Sequence, residues 1–171
     1  MRERKTYAFI DAANIIYGTR DEGWKVDFER LFKYLKERYK CRRVYYFAGE
    51  FKKSPKQATF YKKLEEFGYD LVLKPVKIYT SGGKRVRKAN CDVDLTFYAM
   101  RDIDKFDVVV FLSGDGDFEI LLKHFVDLKK KVIIFTNARR TAREIKILKE
   151  IQFNDLLSLR GVLEFKIKKR R

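Results

Sequence analysis

Histidine and cysteine are almost absent from this chain, in which His124 is the single histidine and Cys41 and Cys91 the only cysteines. A zinc site built on imidazole and thiolate is thereby nearly excluded, and so is a Cys/His or Ser/His nucleophile pair. A disulfide framework is not expected from two cysteines either. No apolar run approaches the roughly 18 residues that a membrane span needs. The start, Met1-Arg-Glu-Arg-Lys, leads straight into a strand-like run without the apolar stretch and cleavage site of a signal peptide. These absences point to a cytosolic protein. What the chain has in excess is positive charge, 40 Lys+Arg against 24 Asp+Glu, for a formal net charge of +16. Such a balance favours a polyanionic partner, nucleic acid first and an anionic membrane surface second. Abundant Lys and Glu with few Gln and Asn is also a composition found in thermophile proteins. A length of 171 residues suits one domain with a respectable core.

The pattern is organised around Val108 to Phe118, Val-Val-Val-Phe-Leu-Ser-Gly-Asp-Gly-Asp-Phe. Val108 to Leu112 is continuously apolar, rich in β-branched residues and too short for a helix, as in a strand buried on both faces. The glycine-broken loop that follows carries Asp115 and Asp117, and Phe118 to Asp127 reads as a helix. Tyr7 to Ile10 is a second buried-type strand, ending at Asp11, and Ala12 to Gly23 reads as a loop holding Asn14 and Tyr17, with Trp24 just after it. Asp27 caps a helix whose Phe28, Leu31, Phe32 and Leu35 share one face. Cys41 to Phe47 is strand-like, and Ser54-Pro55-Lys56-Gln57 opens a helix with a capping box that Gly68 closes. Asp70 to Tyr79 is an edge or bent strand broken by Pro75, and Ser81 to Lys88 a mobile basic turn. Asn90 to Arg101, Lys131 to Thr136 and Thr141 to Glu150 read as helix, strand and helix. Strands alternating with helices predict an α/β fold, a three-layer α/β/α sandwich around a mainly parallel central sheet.

Asp11 and Asp115 both follow apolar strands, so a parallel sheet brings them to one edge, the edge where ligands bind in open α/β sheets. Asp117 lies beside Asp115 and is also suited to cap the helix behind it. Asp92 and Asp94 occupy a first helical turn, where acids suit the dipole. At a spacing of two they face different ways, so only one reaches a common site. Gathered carboxylates raise one another's pKa unless a cation neutralises them. Hard oxygen ligands with no Cys or His nearby point to Mg²⁺ or Mn²⁺, ions that activate water for attack at phosphorus.

Phe9-Ile-Asp11-Ala-Ala-Asn14, then Lys88-Ala-Asn-Cys-Asp92-Val-Asp-Leu95, then Ser113-Gly-Asp115-Gly-Asp117-Phe118 resembles, in order, the NYN (LabA-like, DUF88) branch of the PIN-like nucleases. The resemblance runs from about Tyr7 to Leu157, and the serine-glycine-aspartate block is its most specific part. It implies a PIN-like, Rossmann-like fold and a metal-dependent ribonuclease. Asp11, Asp92, Asp115 and Asp117 would then supply both the catalytic acids and the metal ligands, Asp92 being preferred over Asp94. Asn14 and Ser113 would orient ligands or phosphate, and Lys88 would lie near the substrate. Departures are Ala12 for a frequent glycine, Thr141 for a common serine, and Ile151 where many members carry an acid near the last helix. The nuclease domain is expected over residues 1–160, followed by a basic tail at 161–171.

Dense positive runs occur at Lys52-Lys53 with Lys56, Lys84 to Lys88, Lys129 to Lys131, Arg139-Arg140 with Arg143, and Lys166 to Arg171. Lysine runs on helices are commonly just solvated faces. Two runs differ: Lys84 to Lys88 directly precedes the Asp92 helix, and Arg139-Arg140 with Arg143 follows a strand at the same sheet edge as the acids, where they suit phosphates flanking a scissile bond. Tyr17 and Trp24 suit either stacking on unpaired bases or core packing, and His124, on or near an apolar helix face, reads as structural. Function therefore narrows to a metal-dependent endoribonuclease acting on single-stranded or structured RNA, with a homodimer as a family-level expectation. The alternative is a nucleic-acid-binding module whose acidic pocket is structural or vestigial. A Toprim-type site would want glutamate after the first strand, where Asp11 stands. A haloacid-dehalogenase-type nucleophile pair would want Asp at position 13, where Ala13 stands.

Overall fold

The computed structural model describes residues 3–51 and 53–166, with the backbone alone at 86–88. Lys52 of the basic runs and the end of the tail, 167–171, lie outside the described residues. Six strands form one sheet: β1 (Thr6–Asp11), β2 (Cys41–Glu50), β3 (Asp70–Pro75), β6 (Val108–Leu112), β7 (Lys131–Thr136) and β8 (Ile151–Asp155), in the order β3-β2-β1-β6-β7-β8. Every pairing in it is parallel. The remaining two strands, β4 (Lys77–Ser81) and β5 (Lys84–Lys88), form a separate antiparallel hairpin.

Alternate residues of the central strands feed two cores, one on each face. Ala8, Ile10, Tyr46, Val110 and Phe135 belong to one core, together with residues of α1 (Ala12–Asp21), α2 (Phe28–Tyr39), α3 (Pro55–Phe67) and α7 (Arg160–Leu163). Phe9, Tyr45, Phe111 and Ile134 belong to the other, under α4 (Asp92–Arg101), α5 (Glu119–Asp127) and the short α6 (Arg143–Lys146). Phe9 and Phe111 are fully buried, and burying such a ring contributes about 1.5–3 kcal/mol. The architecture is the expected three-layer α/β/α sandwich around a parallel sheet.

Four local readings are corrected. Residues Ala12–Asp21 are a helix and not a loop, because Asp11 caps it and Ala12, Ile15, Gly18 and Thr19 give it a buried face. Its glycine signal is a packing device: a Cβ on Gly18 would lie 3.1 Å from that of Asn137. The segment expected as a mobile turn is β5, closed on β4 through Gly82 and Gly83, both at positive φ. Two such residues suit the turns that join tight hairpins. The helix expected over 141–150 shrinks to Arg143–Lys146, and Ile151–Asp155 is the edge strand β8. Glu150 turns the chain there at φ 65. His124 lies exposed on α5 rather than on an apolar face.

The chain past residue 160 stays docked as far as Phe165. Leu163 is fully buried, its carbonyl accepts the Asp27 N–H at 2.8 Å, and the Phe165 N–H donates to Lys25 at 2.8 Å. Among the described residues no helix is long and apolar enough to cross a membrane.

Candidate active site at the switch point of the sheet

From β1 the chain winds outward through β2 to β3, and from β6 it winds the other way through β7 to β8. The crevice between the carboxyl ends of β1 and β6 is therefore the topological switch point of the sheet. Asp11 ends β1 and Ser113 follows β6 there.

The loop after β6 is fixed by its own polar groups. Ser113, 1% exposed, donates to Asp11 Oδ2 at 2.9 Å and accepts the Asp115 N–H at 3.2 Å. Asp115 Oδ1 in turn accepts the Asp117 N–H at 3.0 Å, so the cap of the turn is Asp115 and not Asp117. Asn14 Oδ1 accepts the Gly114 N–H at 3.1 Å and ties α1 to the loop. Gly114 has no room for a side chain: a Cβ would lie 2.5 Å from Thr136 Oγ1 and 2.9 Å from Thr141 Oγ1. Thr136, Asn137 and Thr141, all buried, bracket this passage. Sequence reasoning notes Thr141 only as a departure from the resemblance and misses Thr136 and Asn137, because nothing local marks a buried polar residue as a wall. Asn90, also missed, accepts the Asp92 N–H at 2.9 Å. An Asn two residues before a helical Asp is a legible signal for that turn.

These constraints bring Asp92, Asp115 and Asp117 together, each offering one oxygen within 4.8 Å of the others. Asp11 sits behind them in the same cleft, a cavity of about 560 Å³. Burial pushes the Asp11 carboxyl up to about 6, against the hydrogen bonds from Asn14 and Ser113 and reinforced by the charges of Asp92 and Asp115. Asp94 turns away and pairs with Lys74, so one acid of that helix reaches the cluster, as its spacing requires.

The donor set fits a hard divalent cation. It consists of carboxylate oxygens, and the one thiol in the cleft wall, Cys91, is pushed up to about 11 by burial and by the charges of Asp94, Asp11 and Asp92. As a protonated thiol it donates to the Ala89 carbonyl at 3.8 Å, leaving no thiolate to compete with the oxygens.

Arg140 and Tyr17 line the cleft. Arg140 reaches Asp21 at 2.9 Å while remaining half exposed. Arg139 is exposed and outside the cleft wall, its backbone N–H donating to Asn137 at 2.8 Å. The Lys88 side chain lies outside the described atoms. Trp24 is 3% exposed and donates to Glu22 at 3.3 Å, so of the two candidate stacking rings Tyr17 alone faces the cleft.

The NYN domain family model matches residues 5–156. The low amplitude and bright protein LabA of Synechococcus elongatus is 26% identical over 168 residues, covering 95% of this chain and 89% of LabA. A crystal structure of a protein of unknown function from Vibrio parahaemolyticus superimposes with a TM-score of 0.78 at 23% identity, over 96% of this chain and all of that one. A zinc-bound T5 5′-exonuclease superimposes more loosely, with a TM-score of 0.47 at 10% identity, over 96% of this chain and 59% of that one.

Proposed function

The chain belongs to the NYN domain family of PIN-like nucleases, and on that premise we propose that it is a metal-dependent endoribonuclease hydrolysing RNA phosphodiester bonds in the cytoplasm. The observation that carries this reading is the gathering of Asp92, Asp115 and Asp117 within 4.8 Å at the switch point of a sheet whose chain is otherwise strongly cationic. Carboxylates brought this close repel one another, and a bound cation relieves that repulsion. The three would hold Mg²⁺ or Mn²⁺. Such an ion, when bound, makes water a nucleophile near neutral pH and neutralises charge growing on the phosphate oxygens.

The chain's own groups do the rest. Asp11, anchored by Asn14 and Ser113, lines the same cleft as the cluster. Ser113 is no nucleophile, since it is buried and engaged by both Asp11 and Asp115; it positions them. Arg140, and Lys88 by its place at the end of β5, are suited to phosphates on either side of the cut. Water oxygen bonds to phosphorus as the bond to the 3′ oxygen breaks, leaving a 5′-phosphate and a 3′-hydroxyl. No covalent intermediate on the protein is involved.

The test is cleavage of a mixed-sequence single-stranded RNA by wild type, Asp11→Asn and Asp115→Asn in Mn²⁺, Mg²⁺ or EDTA. Products are expected with a divalent ion and wild type, and are expected to vanish in EDTA and in both variants. Products that persist in both variants would sink the reading. Salt-sensitive binding without products would leave a binding module in its place.

A further inference from the structure

Beside the carboxylate cleft lies a second cavity, of about 650 Å³, between α1, α3 and the end of β2. The two share a partition: Ala13, Tyr17, Ala48, Gly49 and Ala89 line both. Apart from Tyr17 the shared residues are small, and at Gly49 there is no room for more, since a Cβ there would lie 2.7 Å from that of Ala89 and 2.9 Å from Val76. Beyond it the walls are aromatic. Tyr46, Phe60 and Tyr61 meet edge-on or tilted at 5.8–6.5 Å between centroids, while Tyr17 and Phe51 stand 55% and 38% exposed at the mouth. Arg20 lies over the Tyr17 ring at 5.7 Å and brings a cation to the same rim.

Gln57 and Tyr61 in this cavity are engaged with each other and with the backbone. Gln57 accepts the Phe51 N–H at 2.7 Å and donates to the Gly49 carbonyl and the Tyr61 hydroxyl, each at 3.0 Å. Tyr61 donates to the same carbonyl at 2.7 Å. What the cavity presents to a guest is therefore ring faces, with one guanidinium beside them.

We propose that this cavity is a nucleobase site, taking one unpaired base of the strand whose phosphate lies at the carboxylates. The inference rests on the nuclease reading for its orientation, and on the cavity for its chemistry. Flat π surface suits a base, the shared partition connects it to the cleft through which a sugar-phosphate chain would run, and Arg20 and the overall positive charge suit the phosphates. A base still stacked in a duplex cannot enter, so the nucleotide beside the cut has to be unpaired or turned out. With Gln57 and Tyr61 already hydrogen-bonded to each other and to the Gly49 carbonyl, the site stacks the base and tolerates its identity.

The experiment is fluorescence-anisotropy binding in EDTA, where nothing is cut. The probes are a mixed-sequence single-stranded RNA 12-mer, the same strand with an abasic position scanned along it, and a blunt duplex. The proteins are wild type, Tyr17→Ala, Phe51→Ala and Tyr17→Trp. Truncating either ring should weaken single-strand binding roughly 5- to 100-fold and leave duplex binding unchanged. One abasic position should cost wild type a similar factor but cost Tyr17→Ala little, and Tyr17→Trp should keep the wild-type affinity. Equal losses on single strand and duplex, or no loss at all, would overturn the base site. The metal-dependent cleavage assay separates the two readings. Cleavage without this binding pattern removes the base site alone, and this binding pattern without cleavage removes the nuclease alone.

Discussion

The two ends of helix α4 carry acids in opposite circumstances. Asp92 opens the helix facing Asp115 and Asp117, while Asp102 follows its last residue with a side chain only 2% exposed. A helix start favours a carboxylate and a helix end opposes it, so the acid at the end depends on the donors around it. Tyr45 donates to Asp102 at 2.6 Å, Arg101 at 3.0 Å and Lys105 at 2.7 Å. Burial alone would raise this carboxyl, but these donors outweigh it and hold it well below the usual carboxylate range. Asp11, at the cleft end, has two hydrogen bonds and acidic neighbours, and stands raised. A buried acid ringed by cationic donors belongs to the fold. Acids whose oxygens are gathered at a cleft are suited to a cation from outside.

The largest expected contrast is in cleavage. Asp115→Asn should lower the rate of RNA cleavage roughly 10²- to 10⁴-fold, the several kcal/mol a divalent ion supplies to the transition state. Asp102→Ala, assayed below its melting temperature, should retain it. In stability the order reverses. Asp102→Ala leaves a buried tyrosine hydroxyl and two cations without their acceptor, for a loss of about 3 kcal/mol. For a domain of this size that is a fall in Tm of roughly 6–12 °C. Retained stability in this variant would remove Asp102 as the neutralised half of the pair.

The pH dependences are expected to oppose each other. Asp102 is depressed in the folded state, so its contribution is present above the ordinary carboxylate pKa and is lost as acid is added. Asp11 is raised from 3.8 to about 6, so its protonated form stabilises the fold below about 4, and that contribution disappears as the pH rises through 6. In EDTA, Asp11→Asn should therefore be more stable than wild type by about 1–2 kcal/mol at pH 8 and should lose that advantage at pH 4. Melting curves at the two pH values decide it, and an advantage that is equal at both would contradict the linkage.

Addition of Mn²⁺ should raise the Tm of wild type but not of Asp115→Asn, by about 1.4 kcal/mol of stabilisation at ten times the dissociation constant. The smallest expected effect is at Arg140. Arg140→Ala should leave Tm nearly unchanged, because an exposed pair with Asp21 contributes about 0–1 kcal/mol. It should weaken RNA binding a few-fold and reduce the salt slope by about one. An unchanged salt slope would take Arg140 away from the phosphates.

Much of the site was legible before the fold. Asp11 and Asp115 each follow a short apolar strand, and parallel pairing of β1 with β6 brings both to one edge. The two-residue spacing of Asp92 and Asp94 foretold that one of them turns away. The signals that failed were local ones overruled from a distance. Ala12 to Gly23 read as a loop holding Asn14, yet Asn14 ties its helix to Gly114 and Gly18 makes room for Asn137. The Glu- and Lys-rich approach to Ile151 read as helix, yet β7 recruits Ile151–Asp155 as an edge strand.

By itself the sequence determined the layered α/β class, the central strands, the edge at which the acids collect and the oxygen-only character of their chemistry. Each of these follows from residue type and short-range periodicity, which report burial directly. Tertiary structure alone decided that Asp102 meets Tyr45, that Trp24 is core while Tyr17 is open, and that rings from α1, β2 and α3 close a second cavity against the first. Those outcomes depend on strand order and on which helices share a face, and contacts between residues distant in sequence leave no periodic trace along the chain.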